Sequence, residues 1–436
     1  MMNFEQSRKL QKKSHALIPG GAHTYAKGDD QYPEMAPGFF ARGKGCHVWD
    51  VDENEYIEYG MGLRSVTLGH GFQPVIEAAY RHLQLGINFT RPSPIEIDCA
   101  EKLQSLIASA EMVKFAKNGS DVTTAAIKLA RAFTGRDLIA ICSEHPFFST
   151  DDWFIGSTAM SAGIPDSVQK LTVRFHYNDL DSVRTLFQMY PGQVACLVME
   201  AETVDPPQNG YFKNVQQLCH ENGALLILDE IITGFRWHLN GAQKVHSITP
   251  DLSTFGKALG NGMAISALVG RKDVMELGGL HHAKERVFLL STTFGAENHV
   301  LAAALEVMNI YEREKVIETL YQQGNRLSQG INNVIEQNNL KGYFELAGRP
   351  VNLVFATRDR AGNRSQEFRT LFLQELIKRG IIAPSFVVSY SHKNEDIDRT
   401  IEVVNEALSV YRRALDEGVE KYLIGRPVKP VFRKFN

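Results

Sequence analysis

The sequence predicts an α/β protein with a mainly parallel sheet, joined to a smaller α+β domain built from both ends of the chain. Three observations carry this. From about residue 76 to 320, helical patterns alternate with short apolar runs at 112–116, 138–142, 194–199, 224–228 and 265–269, each followed by polar or glycine residues. Short runs that are apolar throughout and separated by helices suit parallel strands covered on both faces. Residues 1–75 instead mix a polar initial helix, a Gly/Pro-rich stretch at 19–37, and short strands around His47 to Trp49 and Glu55 to Glu58. Residues 321–436 alternate long charged helices with strands near 351–355 and 381–383 and end in the Pro-rich VKPVFRKFN. The expected division is therefore an N-terminal arm with part of the small domain (1–75), a large domain (76–320), and a C-terminal segment completing the small domain (321–436).

Bulk composition narrows the function. With 436 residues and 44% hydrophobic content the chain can bury a large core. Lys plus Arg number 47 against 50 Asp plus Glu, a net charge of -3, which leaves no positive field for nucleic acid or a membrane surface. The five cysteines are scattered and never form CxxC, so neither a disulfide framework nor a metal site is expected. No signal peptide or membrane span is visible, and a cytoplasmic enzyme acting on small molecules is the expectation.

In such sheets ligands gather at the carboxyl ends of the strands, so residues just past the apolar runs matter most. Ala224-Leu-Leu-Ile-Leu-Asp229-Glu ends a strand in two acids. Alone, such an acid reads as a cap for the next helix. Farther along, Phe255-Gly-Lys257-Ala-Leu-Gly-Asn-Gly262 sets a lysine among small residues that let a bulky group come close. Together they meet two demands of an aldehyde cofactor with a pyridine ring: Lys257 for the imine, and Asp229 to keep the ring nitrogen protonated. Asn118-Gly119-Ser120-Asp121 opens a long helical pattern after a strand, a place where free N–H groups attract phosphate, although the same four residues make an ordinary turn and N-cap. Phe147 or Phe148, after the run at 138–142, offers a ring to cover one face of the cofactor.

These segments resemble the class III (ornithine-type) aminotransferases, and most closely the branch containing glutamate-1-semialdehyde 2,1-aminomutase. The resemblance runs through Ile18-Pro-Gly-Gly21, Gly45-Cys-His-Val-Trp-Asp50, Leu68-Gly-His70, the Asn-Gly-Ser turn, LLILDEIITGFR, PDLSTFGKALGNG and Ser291-Thr-Thr293. It implies pyridoxal 5'-phosphate (PLP) as cofactor and PLP fold type I. By the family pattern Lys257 carries the cofactor as a Schiff base, Asp229 holds the ring nitrogen, and Gly119 and Ser120 bind phosphate. Phe147 and Ile231 pack on the two ring faces, and Thr293 reaches the phosphate of the neighbouring subunit, so a homodimer with shared sites follows.

Departures from the pattern bear on the substrate. Where the aminomutase pattern has an arginine for the substrate carboxylate, this chain has Lys27, which cannot make the two-pronged contact. Met61-Gly-Leu63-Arg64-Ser65 replaces a Gly-Ser-Trp-Gly-Pro stretch, losing a tryptophan and gaining a cation, so Lys27 and Arg64 are the substrate-facing candidates. Ser149 stands where the family has a glycine, and Ala296-Glu297 replace Gly-Asn, a form resembling members from sugar and secondary-metabolite pathways. The reading is an aminotransferase that moves an amino group from an amino-acid donor to a carbonyl acceptor such as a keto-sugar or cyclitol. The alternatives are intramolecular transfer of the aminomutase type and a PLP-binding protein without transaminase activity; the retained Lys257 speaks against the second.

Overall fold

In the computed structural model, which describes residues 3–202 and 204–435, tertiary contacts gather the chain into two units. One is Gln73–Ile317; the other is made of both ends, Met1–Phe72 with Glu318–Asn436. The terminal unit begins with the helix Glu5–Leu17 and the antiparallel strands β1 (Phe40–Lys44), β2 (His47–Asp50) and β3 (Glu55–Glu58). The sequence reading anticipates β2 and β3 and misses β1, whose FARGK residues are mostly exposed and carry no apolar alternation.

The other unit holds a seven-stranded sheet. Its strands are β4 (Met112–Ala116), β5 (Leu138–Cys142), β6 (Thr172–Phe175), β7 (Val194–Glu200), β8 (Leu225–Asp229), β9 (Leu252–Phe255) and β10 (Ser266–Gly270), in the order β4-β10-β9-β8-β7-β5-β6. All five apolar runs became strands, and the sheet is mainly parallel, through β9, β8, β7, β5 and β6. Only β10 reverses, pairing antiparallel to both β4 and β9. The physical reason is the connection: from Phe255 to Ser266 the chain is too short for a crossover helix and must turn back. The strands β6 and β9 escaped the sequence reading because TVRF and LSTF are short and broken by an arginine or hydroxyls. Every residue of β7 and β8 is buried, each large aliphatic side chain adding about 1.5–3 kcal/mol.

The helix Gly119–Thr134 follows β4. At its start the Asp121 carboxylate accepts from the Asn118 N–H at 2.7 Å, Gly135 ends it in the left-handed region at φ 68°, and Val122, Ala125, Ala126, Leu129 and Ala130 form its buried stripe. Near the C-terminus of the chain, β11 (Phe344–Ala347) and β12 (Val354–Thr357) make a two-stranded sheet, and β13 (Ile381–Ile382) lies parallel to β3, joining the two ends of the chain in one sheet.

At the end of β8 the chain leaves the sheet through Glu230, which is fully buried. Its carboxylate accepts from the Ala242 and Gln243 N–H groups, from Gln243 Nε2 at 3.0 Å and from Thr233 Oγ1 at 3.4 Å, anchoring the short helix Gly241–Val245. Burial nevertheless pushes its pKa from 4.5 up to about 7. Since the folded value lies above the unfolded one, the stability Glu230 contributes is full below about 4.5 and is lost as pH rises through about 7. Relative to wild type, Glu230→Gln should therefore gain stability as pH rises across that window, by roughly 3 kcal/mol. Chemical denaturation of both proteins at several pH values measures it; parallel stability curves would refute the assignment.

Candidate active site

Parallel strands end on one side of the sheet, and the register places Glu200 of β7, Asp229 of β8 and Thr254 of β9 side by side. Asp229 is buried and accepts hydrogen bonds from the Ile231 N–H at 2.9 Å and from Thr254 Oγ1 at 3.0 Å. Burial pushes its carboxyl up to about 6, opposed by the Ile231 N–H, the positive charge of Lys257 and the Thr254 hydroxyl. A desolvated acid held this way favours a cation in front of it, because a nearby positive charge restores the ionised form.

Lys257 opens the short turn Lys257–Gly260 just past β9. Its φ is 44°, in the left-handed region, and Asn261 at 43° and Gly262 at 94° follow it there. A lysine in that region costs about 1–2 kcal/mol relative to ordinary backbone, so its neighbours impose the conformation.

Ile231 ties the remaining parts together. A Cβ added to Gly119 would stand 2.7 Å from Ile231 Cδ1, and one on Gly256 would stand 3.6 Å from Ile231 Cγ2. A side chain at 119 would have to displace the Ile231 terminal methyl, so the glycine lets the N-terminus of the helix Gly119–Thr134 sit against the strand end that carries Asp229. Ser266 Oγ donates to the Asn118 carbonyl at 2.8 Å and fixes the same corner from β10. Ser120 Oγ accepts from the Thr150 N–H at 2.9 Å, tying the helix to the loop after β5. In that loop Phe147 is exposed and stands edge-on to Phe154 at 5.6 Å, whereas Phe148 is buried and its carbonyl accepts from Thr123 Oγ1 at 2.9 Å. Ser149 is buried as well, its hydroxyl accepting from the Asp151 N–H at 3.0 Å.

The structure thus brings Asp229, Lys257, Ile231, Gly119 and Ser120 to one end of the sheet, with Phe147 on the adjoining loop. Thr293 is exposed, and its carbonyl accepts from Asn88 Nδ2 at 2.8 Å; farther along the same segment Glu297 pairs with Lys117. Lys27 and Arg64 belong to the terminal unit. Lys27 is exposed on the turn Tyr25–Lys27. Arg64 closes a left-handed turn in which Met61, Gly62, Leu63 and Arg64 have φ of 42°, 57°, 58° and 71°, and its guanidinium donates to Asn352 Oδ1 at 2.9 Å and Ser385 Oγ at 3.2 Å. The sequence reading missed Thr254 and Glu200. Thr254 carried a usable signal, a hydroxyl three residues before the lysine; Glu200 was visible as the single acid closing the run VACLVME.

These residues fit PLP on structural grounds. Gly119 keeps the helix N-terminus open, where the first N–H groups of a helix attract phosphate, and the buried acid would gain from a protonated ring nitrogen beside it.

A family profile described as aminotransferase class-III matches residues 28–408. The 3-aminobutyryl-CoA aminotransferase of Cloacimonas acidaminovorans (strain Evry) is 31% identical over 424 residues, covering 95% of this chain and 99% of that protein. The glutamate-1-semialdehyde 2,1-aminomutase of Francisella philomiragia is 30% identical over 430 residues, covering 92% and 97%. Among solved structures, the PLP internal aldimine form of the FumI protein of Sphingopyxis sp. MTA144 superposes with a TM-score of 0.87 at 27% identity, over 95% of this chain and 98% of that one. The buried acid, the strained lysine and the glycine-lined helix end are therefore set in a chain that belongs to the class-III aminotransferases, PLP-dependent enzymes of fold type I that act as transaminases or closely related aminomutases.

Proposed function

We propose that this chain is a transaminase that moves an amino group from an amino-acid donor to a carbonyl acceptor, with Lys257 and Asp229 as its catalytic residues. The observation that carries the reading is the buried Asp229 carboxylate, which feels the charge of the strained Lys257 at the mouth of β8. When bound, the cofactor supplies a protonated ring that withdraws electrons from the substrate carbon. Asp229 keeps that ring nitrogen protonated, its own charge supported by the Ile231 N–H and the Thr254 hydroxyl. Lys257 Nζ would be the amine through which the cofactor is bonded; once displaced by the donor's amine it would take the proton from the donor's Cα and deliver it to the cofactor's C4'. The first N–H groups of the helix Gly119–Thr134 and the Ser120 hydroxyl would hold the phosphate, and Phe147 and Ile231 would cover the ring.

Absence of the family's carboxylate-binding arginine, with Lys27 in its place, supports release of a keto product over retention of one small substrate through both halves of an aminomutase cycle. Arg64, held by Asn352 Oδ1 and Ser385 Oγ at the end of its strained turn, is the second cationic candidate for the acceptor. For the acceptor, the Ala296-Glu297 departure supports a keto-sugar or cyclitol; the relative named for 3-aminobutyryl-CoA supplies the rival, a 3-oxoacyl thioester.

A homodimer is part of the same reading. Helix Gln73–Leu85 buries Val75, Ala78 and Ala79 on one side, yet Ile76, Tyr80 and Leu83 are exposed on another, and Leu85, Ile87 and Phe89 continue the exposed apolar surface. An uncovered surface of this kind fits a second copy of the chain, which would bring Thr293 to the partner's phosphate site. No helix among the described residues is long and apolar enough to cross a membrane, and the five cysteines are all buried free thiols, which supports a cytoplasmic setting.

Replacing Lys257 by alanine should abolish the near-visible absorption of the purified enzyme and its turnover, while Asp229→Asn should keep some cofactor and lose at least about 100-fold in turnover. Unchanged absorption and rate in Lys257→Ala would sink the central assignment. Given L-glutamate alone, the enzyme should release 2-oxoglutarate in one stoichiometric half-turnover, and a panel of keto-sugars, cyclitol ketones and 3-oxoacyl thioesters should then identify the acceptor. Efficient conversion of glutamate-1-semialdehyde to 5-aminolevulinate with no external donor or acceptor would transfer the chain to the aminomutases. Mixing Lys257→Ala subunits with subunits impaired at Thr293 should restore one intact site per mixed dimer; no recovery after verified subunit exchange would remove Thr293 from the partner's site.

A further inference from the structure

Outside the candidate active site, the terminal unit brings together three donors of three chemical kinds. Cys46 Sγ, His47 Nε2 and an Asp396 carboxylate oxygen all lie within 4.8 Å of one another, the one such grouping of His, Cys and acidic residues found among the described residues. Cys46 immediately precedes β2, His47 begins it, and Asp396 lies in the first turn of the helix Asn394–Glu417, 349 residues from His47. The cluster thus ties the N-terminal part of this unit to its C-terminal part.

We propose that Cys46, His47 and Asp396 form a binding site for a zinc-like divalent metal ion, with water as the fourth ligand, that stabilises the terminal unit. Sγ stands 3.4 Å from Asp396 Oδ2, and His47 Nε2 stands 3.0 Å from Asp396 Oδ1. Tetrahedral zinc with ordinary bond lengths sets its ligand atoms roughly 3.3–3.6 Å apart; both contacts to Asp396 are within a few tenths of an ångström of that, and the remaining donors, all within 4.8 Å of one another, need only draw together. The other ring nitrogen, His47 Nδ1, is held by Glu55 Oε1 at 2.8 Å. A carboxylate on the far nitrogen of a histidine is the arrangement that fixes the ring of a metal ligand and makes it a better donor.

Without metal, Asp396 accepts from the Cys46 thiol, from His47 Nε2 and from the Lys393 N–H at 2.9 Å, and Cys46 Sγ also lies 3.7 Å from the Ser391 carbonyl. Metal binding replaces two of those protons: the thiol proton and the Nε2 proton leave to solvent, and Nδ1 keeps its proton toward Glu55. Thiolate and carboxylate then neutralise the two charges of the metal. The mixed sulfur, nitrogen and oxygen set favours zinc or cobalt over calcium or magnesium, which take oxygen ligands. Cys46 is buried, while the His47 and Asp396 side chains are 32% and 15% exposed, which leaves a way in for the ion and a place for the water. The site lies in a different unit from Asp229 and Lys257, so its test does not depend on the proposed reaction.

The test is a cobalt(II) titration of chelator-treated holoenzyme, read as a difference spectrum for the thiolate-to-cobalt charge-transfer band, with zinc competition and thermal melting alongside. The expected result is a band that saturates at one equivalent per chain, is erased by zinc, and accompanies a raised melting temperature. Cys46→Ser should lose the band, and Glu55→Gln should weaken binding about 10–100-fold. Should Cys46→Ser fail to fold, His47→Gln keeps the thiol and should still lose stoichiometric binding. Absence of the band and of any thermal shift in the wild-type enzyme would overturn the proposal, leaving His47 in ion pairs only. Undiminished binding in both Cys46→Ser and His47→Gln would overturn it equally.

Discussion

A carboxylate taken out of water loses its solvation and must be repaid by partners or give up its charge, and this constraint organises the large unit around Asp229. The apolar strand β8 is buried along its whole length, and its last residue is the acid. Two donors, the Ile231 N–H and the Thr254 hydroxyl, are supplied by the turn that follows and by the adjacent strand. They do not offset burial completely, and a positive charge brought near would restore the ionised form.

The residue next in sequence shows how finely this is set. Glu230 is as buried as Asp229, but four donors from Thr233, Ala242 and Gln243 converge on it, and it serves the backbone rather than a ligand. Adjacent side chains at the end of a strand diverge to opposite sides, so one acid is left for the site while the other is enclosed. The pair Asp-Glu, uniform in charge, is divided by geometry: Glu230 is enclosed by backbone and side-chain donors, while Asp229 is met by the Ile231 N–H and the Thr254 hydroxyl.

Close packing supplies the rest of the site. Ile231 is buried against the positions where Gly119 and Gly256 lack side chains, so the N-terminus of the helix Gly119–Thr134 and the strand after which Lys257 sits meet at the same residue. A packed interior has few alternative arrangements, which is how Lys257 is kept in a left-handed conformation that a free chain would leave. The left-handed backbone at Lys257 and the close approach at Gly119 both lie beside Ile231.

The sequence by itself determined two strand mouths, because long buried strands leave an apolar run and the acid and the Asn-Gly-Ser turn each follow one; Lys257 was marked instead by the small residues around it. It also determined the α/β class and the parallel character of the sheet, since helices must fill the spaces between such runs. It did not disclose β1, β6 or β9, whose short polar or exposed segments have no period to read, nor the reversal of β10, which depends on the length of a connection. Thr254 and Glu200 became neighbours of Asp229 only through register between strands, and Cys46, His47 and Asp396 met only because the two ends of the chain fold into one unit. Local pattern records which residues are buried and on what period; which of them touch across hundreds of residues is decided by packing, and that is a property of the folded chain alone.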